Sequence, residues 1–486
     1  GIVDRQIVGV EDSVMKIGDI DNDNDLDLIY GSSSNNGGSS RVYKYDGVRL
    51  IAEQNNVINL PTITDIDIDD INSDGKSDVV INSYGNGSSL MAYFGNPTGG
   101  LNQIRIDDGL YNGKVKIIDM NNDGQSEVVL IGLTADNTSG KPKIYIYEYD
   151  SSGFTKVDLS DQVDDLTGAS YDLGDVDNDQ DIDIIISGFD ESQGLKAYIY
   201  KNVGDSGLAY KLEKTTNNIA AIRDGTVDFV DFDSDGDLDA AITGTGIQGD
   251  IFEIYKNDLN EGKDNWPRID LGLTGMRNGK TDLGDFNGDG YTDIIYSGLL
   301  EGSGKITKLA EYTAESNSYV DSAFDVSDII EASVEFGDID GDGDLDFILS
   351  GEDKDDSGKV FRAYLNKRNE SAAVSEPQSG SRRGATENSY VENVPPSVPE
   401  IISTKILLTE QTSEGNLVIE FSWNASSDDL TPVEGLTYAL KIGTTENGEE
   451  IMSVNSNSNG QRKTAEKGNV EHNLKWKVSL PDGVFY

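Results

Sequence analysis

The chain is long, strongly acidic and free of cysteine. Its 486 residues include 89 aspartates and glutamates against 38 lysines and arginines, for a formal net charge of −51. A surface of this sign repels nucleic acid and anionic membranes, which excludes nucleic acid as a partner and direct insertion into a membrane. The absence of cysteine excludes disulfides and thiol chemistry. The same acidity is typical of halophilic or marine proteins, so charge alone does not identify a partner.

A nine-residue acidic loop recurs seven times, and its starts are 49 to 56 residues apart. Side-chain oxygens at loop positions 1, 3, 5 and 9, with a backbone carbonyl near position 7, form the hard oxygen cage that calcium prefers, whereas magnesium demands a stricter octahedron. The sequence therefore predicts up to seven Ca²⁺ sites. Their side-chain ligands are Asp19, Asp21, Asp23 and Asp27; Asp70, Asn72, Asp74 and Asp78; Asp119, Asn121, Asp123 and Glu127; Asp175, Asp177, Asp179 and Asp183; Asp231, Asp233, Asp235 and Asp239; Asp285, Asn287, Asp289 and Asp293; and Asp338, Asp340, Asp342 and Asp346.

Other acidic loops do not fit this pattern. An EF-hand loop needs a carboxylate at position 12, where this chain has Ile242 in the fifth loop and Leu349 in the seventh. Calcium rolls of toxin repeats have a nine-residue period, about six times shorter than this one. Aspartate-rich turns can also simply solvate a surface, but seven regularly spaced copies make that explanation improbable.

Each loop lies between two predicted strands. Residues 333–337, before the seventh loop, alternate in polarity as a half-buried strand does, and apolar runs such as residues 184–186 follow the loops. A Gly- and Ser-rich turn, an aromatic strand and a weaker fourth strand complete the repeat. Seven four-stranded repeats predict an all-β fold, a seven-bladed β-propeller over residues 1–367. The seventh repeat lacks a fourth strand, so we expect residues 2–10 to complete its blade.

These loops and their spacing resemble the FG-GAP, or VCBS, repeats, whose best-known members are the integrin α-subunit propellers. The resemblance implies the same fold and the same calcium positions. Some copies depart from the pattern: Glu127 stands at position 9 of the third loop, and Asn24 and Gln180 stand at position 6, where a left-handed backbone favours glycine. We therefore expect the third and fourth loops to bind calcium most weakly.

Residues 368–399 read as a linker rich in Ser, Gly and Pro. Beyond it, residues 401–408, 417–423, 436–442 and 474–480 are predicted strands of a small β-sandwich over residues 400–486. The segment resembles a fibronectin type III module, with Trp423 in a core strand. It is shorter than the roughly 100 residues of such a sandwich, so we expect a truncated module whose open edge could serve in assembly.

Calcium loops of extracellular affinity predict a secreted or cell-surface protein, and the domain series resembles multidomain surface proteins of bacteria. Three functions stay open: a non-catalytic adhesion or recognition protein for an extracellular glycan or surface protein, a polysaccharide lyase or hydrolase, and a structural spacer in a surface fibre. The only histidine, His472, lies outside the propeller, and no catalytic carboxylate pair stands out.

We expect ligand contacts on the face opposite the calcium loops, which carries the connections between repeats and the connections between second and third strands, and the latter vary in length and composition. Trp266, Arg268 and Arg277 are the candidates there. An exposed tryptophan stacks well on sugar rings or anchors a protein contact. Packing between blades is the alternative role for Trp266.

Overall fold

In a computed structural model, the protein is all-β. Its described residues contain thirty strands and one 3₁₀ turn, Ser160–Gln162. Among them, no helix is long and apolar enough to cross a membrane. The structure describes residues 7, 9–10, 12–21, 26–32, 40–45, 50–58, 62–72, 74, 76–85, 87–96, 100–121, 125–134, 142–177, 179, 181–204, 210–233, 237–257, 266–289, 291–301, 304–313, 316–322, 324, 326, 328–339, 345–353, 358–366, 397, 401–411, 417–427, 438 and 475–480.

Seven antiparallel sheets follow one another along the chain, which confirms the predicted propeller. The first three blades are β1 Ser13–Gly18, β2 Asp27–Ser32, β3 Ser40–Tyr45 and β4 Leu50–Ile58; β5 Ile63–Asp69, β6 Asp78–Ser83, β7 Ser89–Gly95 and β8 Leu101–Asp107; and β9 Tyr111–Ile118, β10 Glu127–Leu133, β11 Lys143–Asp150 and β12 Gly153–Asp158.

The other four blades continue the same order. They are β13 Thr167–Gly174, β14 Asp183–Asp190, β15 Gly194–Asn202 and β16 Leu212–Lys214; β17 Arg223–Val230, β18 Asp239–Gly246, β19 Gly249–Tyr255 and β20 Arg268–Ile269; β21 Arg277–Gly284, β22 Asp293–Leu300, β23 Gly304–Thr313 and β24 Ser318–Asp321; and β25 Ile329–Gly337, β26 Asp346–Asp353 and β27 Lys359–Tyr364.

Burial within a blade follows the polarity of its strands. All six residues of β6 are buried, because the second strand is covered by neighbouring blades on both faces. The fourth strand β8 is half-buried or exposed along its whole length, since it lies at the outer edge of its blade. The hydrophobic cores lie between blades: Val80 and Leu90 of the second blade pack in one cluster with Val128 and Tyr145 of the third.

The first strand of each blade faces the central axis and carries charge there. In four blades, the residue three positions before the loop has a carboxylate that accepts a backbone N–H of the next blade's first strand. Asp67 accepts from Ile117 at 2.7 Å, Asp172 from Phe229 at 2.7 Å, Asp282 from Phe336 at 2.5 Å and Glu335 from Ile17 at 3.1 Å. Lys16 also lies 3.5 Å from Asp67 and 3.7 Å from Glu335. We call Asp67, Asp172, Asp282 and Glu335 the channel carboxylates.

A bulge recurs seven residues before the loop, at the end of the first strand that is remote from the loops. Asp12, Asn112, Asp224 and Asn278 all have φ between 47° and 53° there, and Gly168 has φ 58°. Asn and Asp adopt this left-handed conformation more readily than other residues that carry a Cβ. The repeat therefore extends beyond the acidic loop to the opposite rim of the channel.

The seventh and first blades meet and close the ring. Ser13 Oγ donates to the Ser350 carbonyl at 2.9 Å, and Ile7 packs in the core that these two blades share. Gly9 lies against Val360 of β27 so closely that a Cβ would come within 2.3 Å of its backbone. Residues 7 and 9–10 of the predicted completing strand thus lie beside the seventh blade, and the rest of that strand falls outside the described residues.

Beyond the propeller, β28 Ile401–Gln411, β29 Leu417–Trp423 and β30 Lys475–Leu480 form an antiparallel sheet in that order. Trp423 is buried, as predicted, and its ring lies 6.0 Å from that of Tyr438. The predicted linker falls outside the described residues except for Ser397, and the predicted strand at 436–442 does so except for Tyr438.

Candidate metal centres

All seven acidic loops connect the first strand of a blade to the second, as predicted. Because the first strands all run in one direction around the axis, the loops share one face of the propeller. The predicted ligands Asp23, Asp123, Asp235, Asp340 and Asp342 lie outside the described residues, as do Asn24 and Gln180.

The carboxylate at position 9 closes each loop. One of its oxygens accepts the backbone N–H of position 2 at 2.8 to 3.3 Å in six loops, and the N–H of position 3 at 2.9 Å in the sixth loop. In five blades its other oxygen accepts an N–H from the end of the third strand at 2.6 to 2.9 Å. Glu127 makes the loop-closing bond in the third loop, so its longer side chain keeps this role.

Burial makes ionisation of these position 9 carboxylates costly in free energy. Burial raises the pKa of Asp78 to about 8 and that of Asp183 to about 9. Burial also raises the pKa of Asp293 well above its ordinary value. Other loop carboxylates add to the effect in each case, because like charges disfavour the ionised form.

Positions 1 and 5 wrap the loop around a common centre. The N–H of position 5 donates to the position 1 carboxylate in the second, fourth and sixth loops, at 3.0 to 3.2 Å. Three sets of carboxylates bring oxygens within 4.8 Å of one another among the described residues, a spacing that could hold a metal ion. They are Asp19, Asp21 and Asp27; Asp175, Asp177 and Asp179; and Asp231, Asp233 and Asp239.

Position 3 carries the most specific sign of a ligand. Oδ1 of Asp21, Asn72, Asp177 and Asn287 is buried and has no hydrogen-bond partner among the described residues. A buried oxygen of this kind costs free energy unless another group, such as a cation, satisfies it. The observation suits a hard cation, and it recurs at one loop position in four blades.

Lysines hold the other oxygen of the position 3 aspartates. Lys201 Nζ lies 3.0 Å from Asp177 Oδ2, and Lys44 and Lys256 make the same ion pair with Asp21 and Asp233. Lys44 and Lys201 lie on the third strand of their own blade, and Lys256 directly follows the third strand of its blade. Oδ1 of Asp21 and of Asp177 thus stays without a hydrogen-bond partner among the described residues while Oδ2 is paired.

Asparagine side chains tie the loops to the next blade, a contact that the sequence reasoning missed. Nδ2 of Asn202 donates to the Met120 carbonyl at 3.0 Å, and Asn366 does the same to Phe286 at 2.9 Å. Asn257 bonds the Val176 carbonyl at 2.7 Å. Each acceptor is position 2 of the preceding loop, so a change in a loop reaches the adjacent blade. The recurring Asn at the end of the third strand was the signal for it.

The structure corrects the candidate ligand residue Trp266. Its side chain is 5% exposed and packs in the core between the fourth and fifth blades, 6.5 Å from the Phe229 ring. Its backbone N–H donates to Asn218. The packing alternative is therefore right, since an indole buried among Phe229 and its neighbours cannot stack on a ligand. Arg268 and Arg277 are exposed, and Arg268 forms an ion pair with Glu253.

Apolar side chains are exposed at two adjacent hairpins on the face opposite the loops. Ile247, at the tip between β18 and β19, is 82% exposed, and Phe189, at the end of β14, is 39% exposed. In the next blade Leu299 and Leu300 are half-buried at the equivalent hairpin. We call these four residues the hairpin patch. Sequence reasoning placed variable loops on this face but did not single out Phe189 or Ile247.

Comparison with known proteins adds little to the fold. No family model matches the chain, and no curated protein matches it. Among solved structures, the exotype rhamnogalacturonan lyase YesX is 13% identical over 74% of this chain and 72% of its own, with a TM-score of 0.42. A protein from Lactobacillus plantarum is 12% identical over 65% of this chain and 85% of its own, with a TM-score of 0.39. Neither protein's activity is carried over to this chain.

Proposed function

We propose that this protein is a calcium-stabilised β-propeller that acts outside the cell as a non-catalytic recognition protein for a glycan or a surface protein. The observation that carries the proposal is the contrast between the two faces. One face repeats a nearly invariant acidic loop, and the other presents hairpins that differ from blade to blade and expose apolar side chains. A repeated loop suits a structural ion, whereas variable hairpins on a rigid scaffold suit recognition.

Calcium fits the donor set better than other common ions. The loops offer carboxylate and amide oxygens and no sulfur or imidazole, which disfavours zinc and copper. Position 3 supplies an orphaned buried oxygen, positions 1 and 5 crowd beside it, and position 9 is held by backbone N–H groups. When bound, the ion would neutralise the loop and link the first two strands of its blade. An extracellular setting supplies calcium at the concentration that such loops need.

The hairpin patch is the proposed contact surface. Phe189 and Ile247 lie on adjacent blades, so their side chains occur on one continuous face. An exposed aromatic ring can stack on a sugar or enter a pocket of a protein partner, and an exposed isoleucine adds apolar area beside it. The calcium loops, on the other face, would support binding only by holding the blades in place.

A retention assay tests the function. We expect calcium-loaded protein to be held by at least one polysaccharide of a broad panel, or by a surface protein, without release of product. Chelator should abolish retention, because the blades lose their order. Release of shortened or unsaturated sugars would instead identify an enzyme, and no retention on any ligand would favour a structural spacer.

Matched variants locate the contact. Phe189→Ser combined with Ile247→Ser should reduce retention at least tenfold with little change in the melting temperature, because both side chains are exposed. Ile104→Ser is the control: Ile104 is 43% exposed but lies on the outer strand β8. Equal effects of the two changes, or none from the first, would contradict a contact at the hairpin patch.

A further inference from the structure

The seven blades can be aligned with one another by the register of their strands. In this alignment, the charge at one position at the end of the third strand varies with the residue at loop position 3. In every blade, one third-strand residue pairs in register with loop position 10. The position that varies in charge is the next residue along the chain. Those paired residues are Tyr43, Tyr93, Tyr147, Tyr200, Tyr255, Ala310 and Tyr364. The residues that follow them are Lys44, Phe94, Glu148, Lys201, Lys256, Glu311 and Leu365.

Lysine occurs at this position only where loop position 3 is aspartate. Lys44, Lys201 and Lys256 belong to the first, fourth and fifth blades, whose position 3 residues are Asp21, Asp177 and Asp233. Where position 3 is asparagine, in the second, third and sixth loops, the third strand has Phe or Glu instead. The seventh loop, with Asp340 and Leu365, has an aspartate without a lysine.

The contacts show why the two positions vary together. Each lysine ammonium pairs with Oδ2 of the position 3 aspartate in its own blade. The third blade has the reverse arrangement: Asn121 Nδ2 donates to the Tyr210 hydroxyl at 3.1 Å, and that hydroxyl donates to Glu148 at 3.1 Å. In the third and sixth blades a glutamate thus accompanies a neutral position 3 ligand, and in the first, fourth and fifth blades a lysine accompanies a charged one.

We propose that Lys44, Lys201 and Lys256 are built-in counter-charges that lower the calcium affinity of their loops. This inference rests on the proposed calcium binding. A lysine stabilises the metal-free loop by pairing one of its four carboxylates. It then repels an ion bound to Oδ1 of the same aspartate, because the ammonium and the ion would share one carboxylate.

A buried position 3 oxygen also occurs where the lysine is absent. In the second blade Phe94 replaces it, yet Asn72 Oδ1 is buried without a hydrogen-bond partner among the described residues, as Asp177 Oδ1 is. The burial of the position 3 oxygen therefore does not require the lysine. Replacing the lysine removes a positive charge and leaves the position 3 oxygen buried. The electrostatic effect should therefore decide whether the calcium affinity rises or falls.

The test is calcium titration of full-length protein after chelator removal, followed by isothermal calorimetry. Lys201→Met alone, and Lys44→Met, Lys201→Met and Lys256→Met together, should bind calcium about tenfold more tightly at the altered loops. In chelator, the same variants should melt at lower temperature than the parent. In saturating calcium they should melt at the same or a higher temperature.

Lys308→Met is the matched control. Lys308 also lies on a third strand and pairs with an aspartate, but that partner is Asp321 on the fourth strand, away from the loop. Its removal should leave every calcium affinity unchanged. Weaker or unchanged affinity in Lys201→Met, with calcium still bound by the parent, would overturn the counter-charge role. Failure of the parent to bind calcium would instead overturn the proposed function itself.

Discussion

Two populations of carboxylates lie on the inner half of this propeller, and the protein treats them differently. The channel carboxylates accept backbone N–H groups of the neighbouring blade, and Lys16 lies near two of them. Loop carboxylates crowd together at positions 1, 3 and 5 of the fourth loop and at positions 1, 3 and 9 of the first and fifth, and in four loops a buried position 3 oxygen lacks a hydrogen-bond partner among the described residues. The same residue type thus serves the fold in one place and is arranged for an external cation in the other.

This difference separates acidic residues whose oxygens are paired within the chain from loops in which a buried position 3 oxygen has no hydrogen-bond partner among the described residues. A buried charge is tolerated when hydrogen bonds and opposite charges surround it, and its loss then destabilises the protein under all conditions. Carboxylates that crowd together, as Asp175, Asp177 and Asp179 do, repel one another until a cation neutralises them. Substitutions in the two populations should therefore differ in whether their effect on stability depends on calcium.

The largest expected effect is that of removing calcium. If free calcium is about tenfold above the dissociation constant, each site adds ~1.4 kcal/mol to the free energy of unfolding. Seven sites would add on the order of 10 kcal/mol, which is comparable to the net stability of a whole domain. Excess chelator should lower the melting temperature steeply. Identical calorimetric melting curves with and without chelator would exclude calcium binding at the loops.

Asp67→Ala should destabilise the protein by about 3 kcal/mol whether or not calcium is present. The change leaves the Ile117 N–H without its acceptor and Lys16 without one of its carboxylates. Asp67→Asn, which keeps an acceptor oxygen, should recover part of the loss. Urea unfolding in calcium and in chelator measures both.

Asp179→Ala is the corresponding change in a loop. It should destabilise the protein in calcium and not in chelator, because it removes a ligand and also relieves repulsion from Asp175 and Asp177. A loss of equal size in both conditions would place Asp179 with the channel carboxylates, and the comparison would fail for that loop.

Asp228 offers a smaller test within the channel. Burial, with the nearby charge of Asp172, raises its pKa to about 6, although Thr281 donates to it at 2.6 Å and Lys114 opposes the shift. The folded state therefore favours the protonated form, and the stability from this group is present below pH ~4 and is lost as pH rises through about 6. Asp228→Asn should stabilise the protein by about 2 kcal/mol above pH 6 and by little at pH 4. Urea unfolding at both pH values checks this, and an equal gain at both would exclude titration of Asp228 as the cause.

Much of this arrangement could be predicted from the sequence, because the repeat multiplies a weak signal. The period-2 strand before each loop and the apolar run after it identified the first two strands, and seven copies identified the propeller. Position 9 was grouped with the acidic loop because its spacing is constant, and in the structure its carboxylate accepts backbone N–H groups of the loop.

Other features depended on distance in space and could not be read from one repeat. The sequence left open whether Trp266 is exposed or packs between blades, and in the structure the blade-to-blade core covers it. The exposure of Ile247 depends on a two-residue hairpin tip that leaves its side chain without neighbours. The pairing of Lys201 with Asp177 crosses 24 residues and becomes visible only when the strands of the blades are aligned by register.

The closure of the ring between the seventh and first blades has a consequence for folding. The Ser13–Ser350 hydrogen bond joins residues 337 positions apart, and contacts of such long sequence separation form slowly. At a synthesis rate of roughly 5–20 residues per second, the first blade would wait on the order of half a minute for its neighbour. During that time its side that later meets β25 is open to other chains. The acidic surface, by keeping nascent copies apart, would then protect the chain before any calcium is bound.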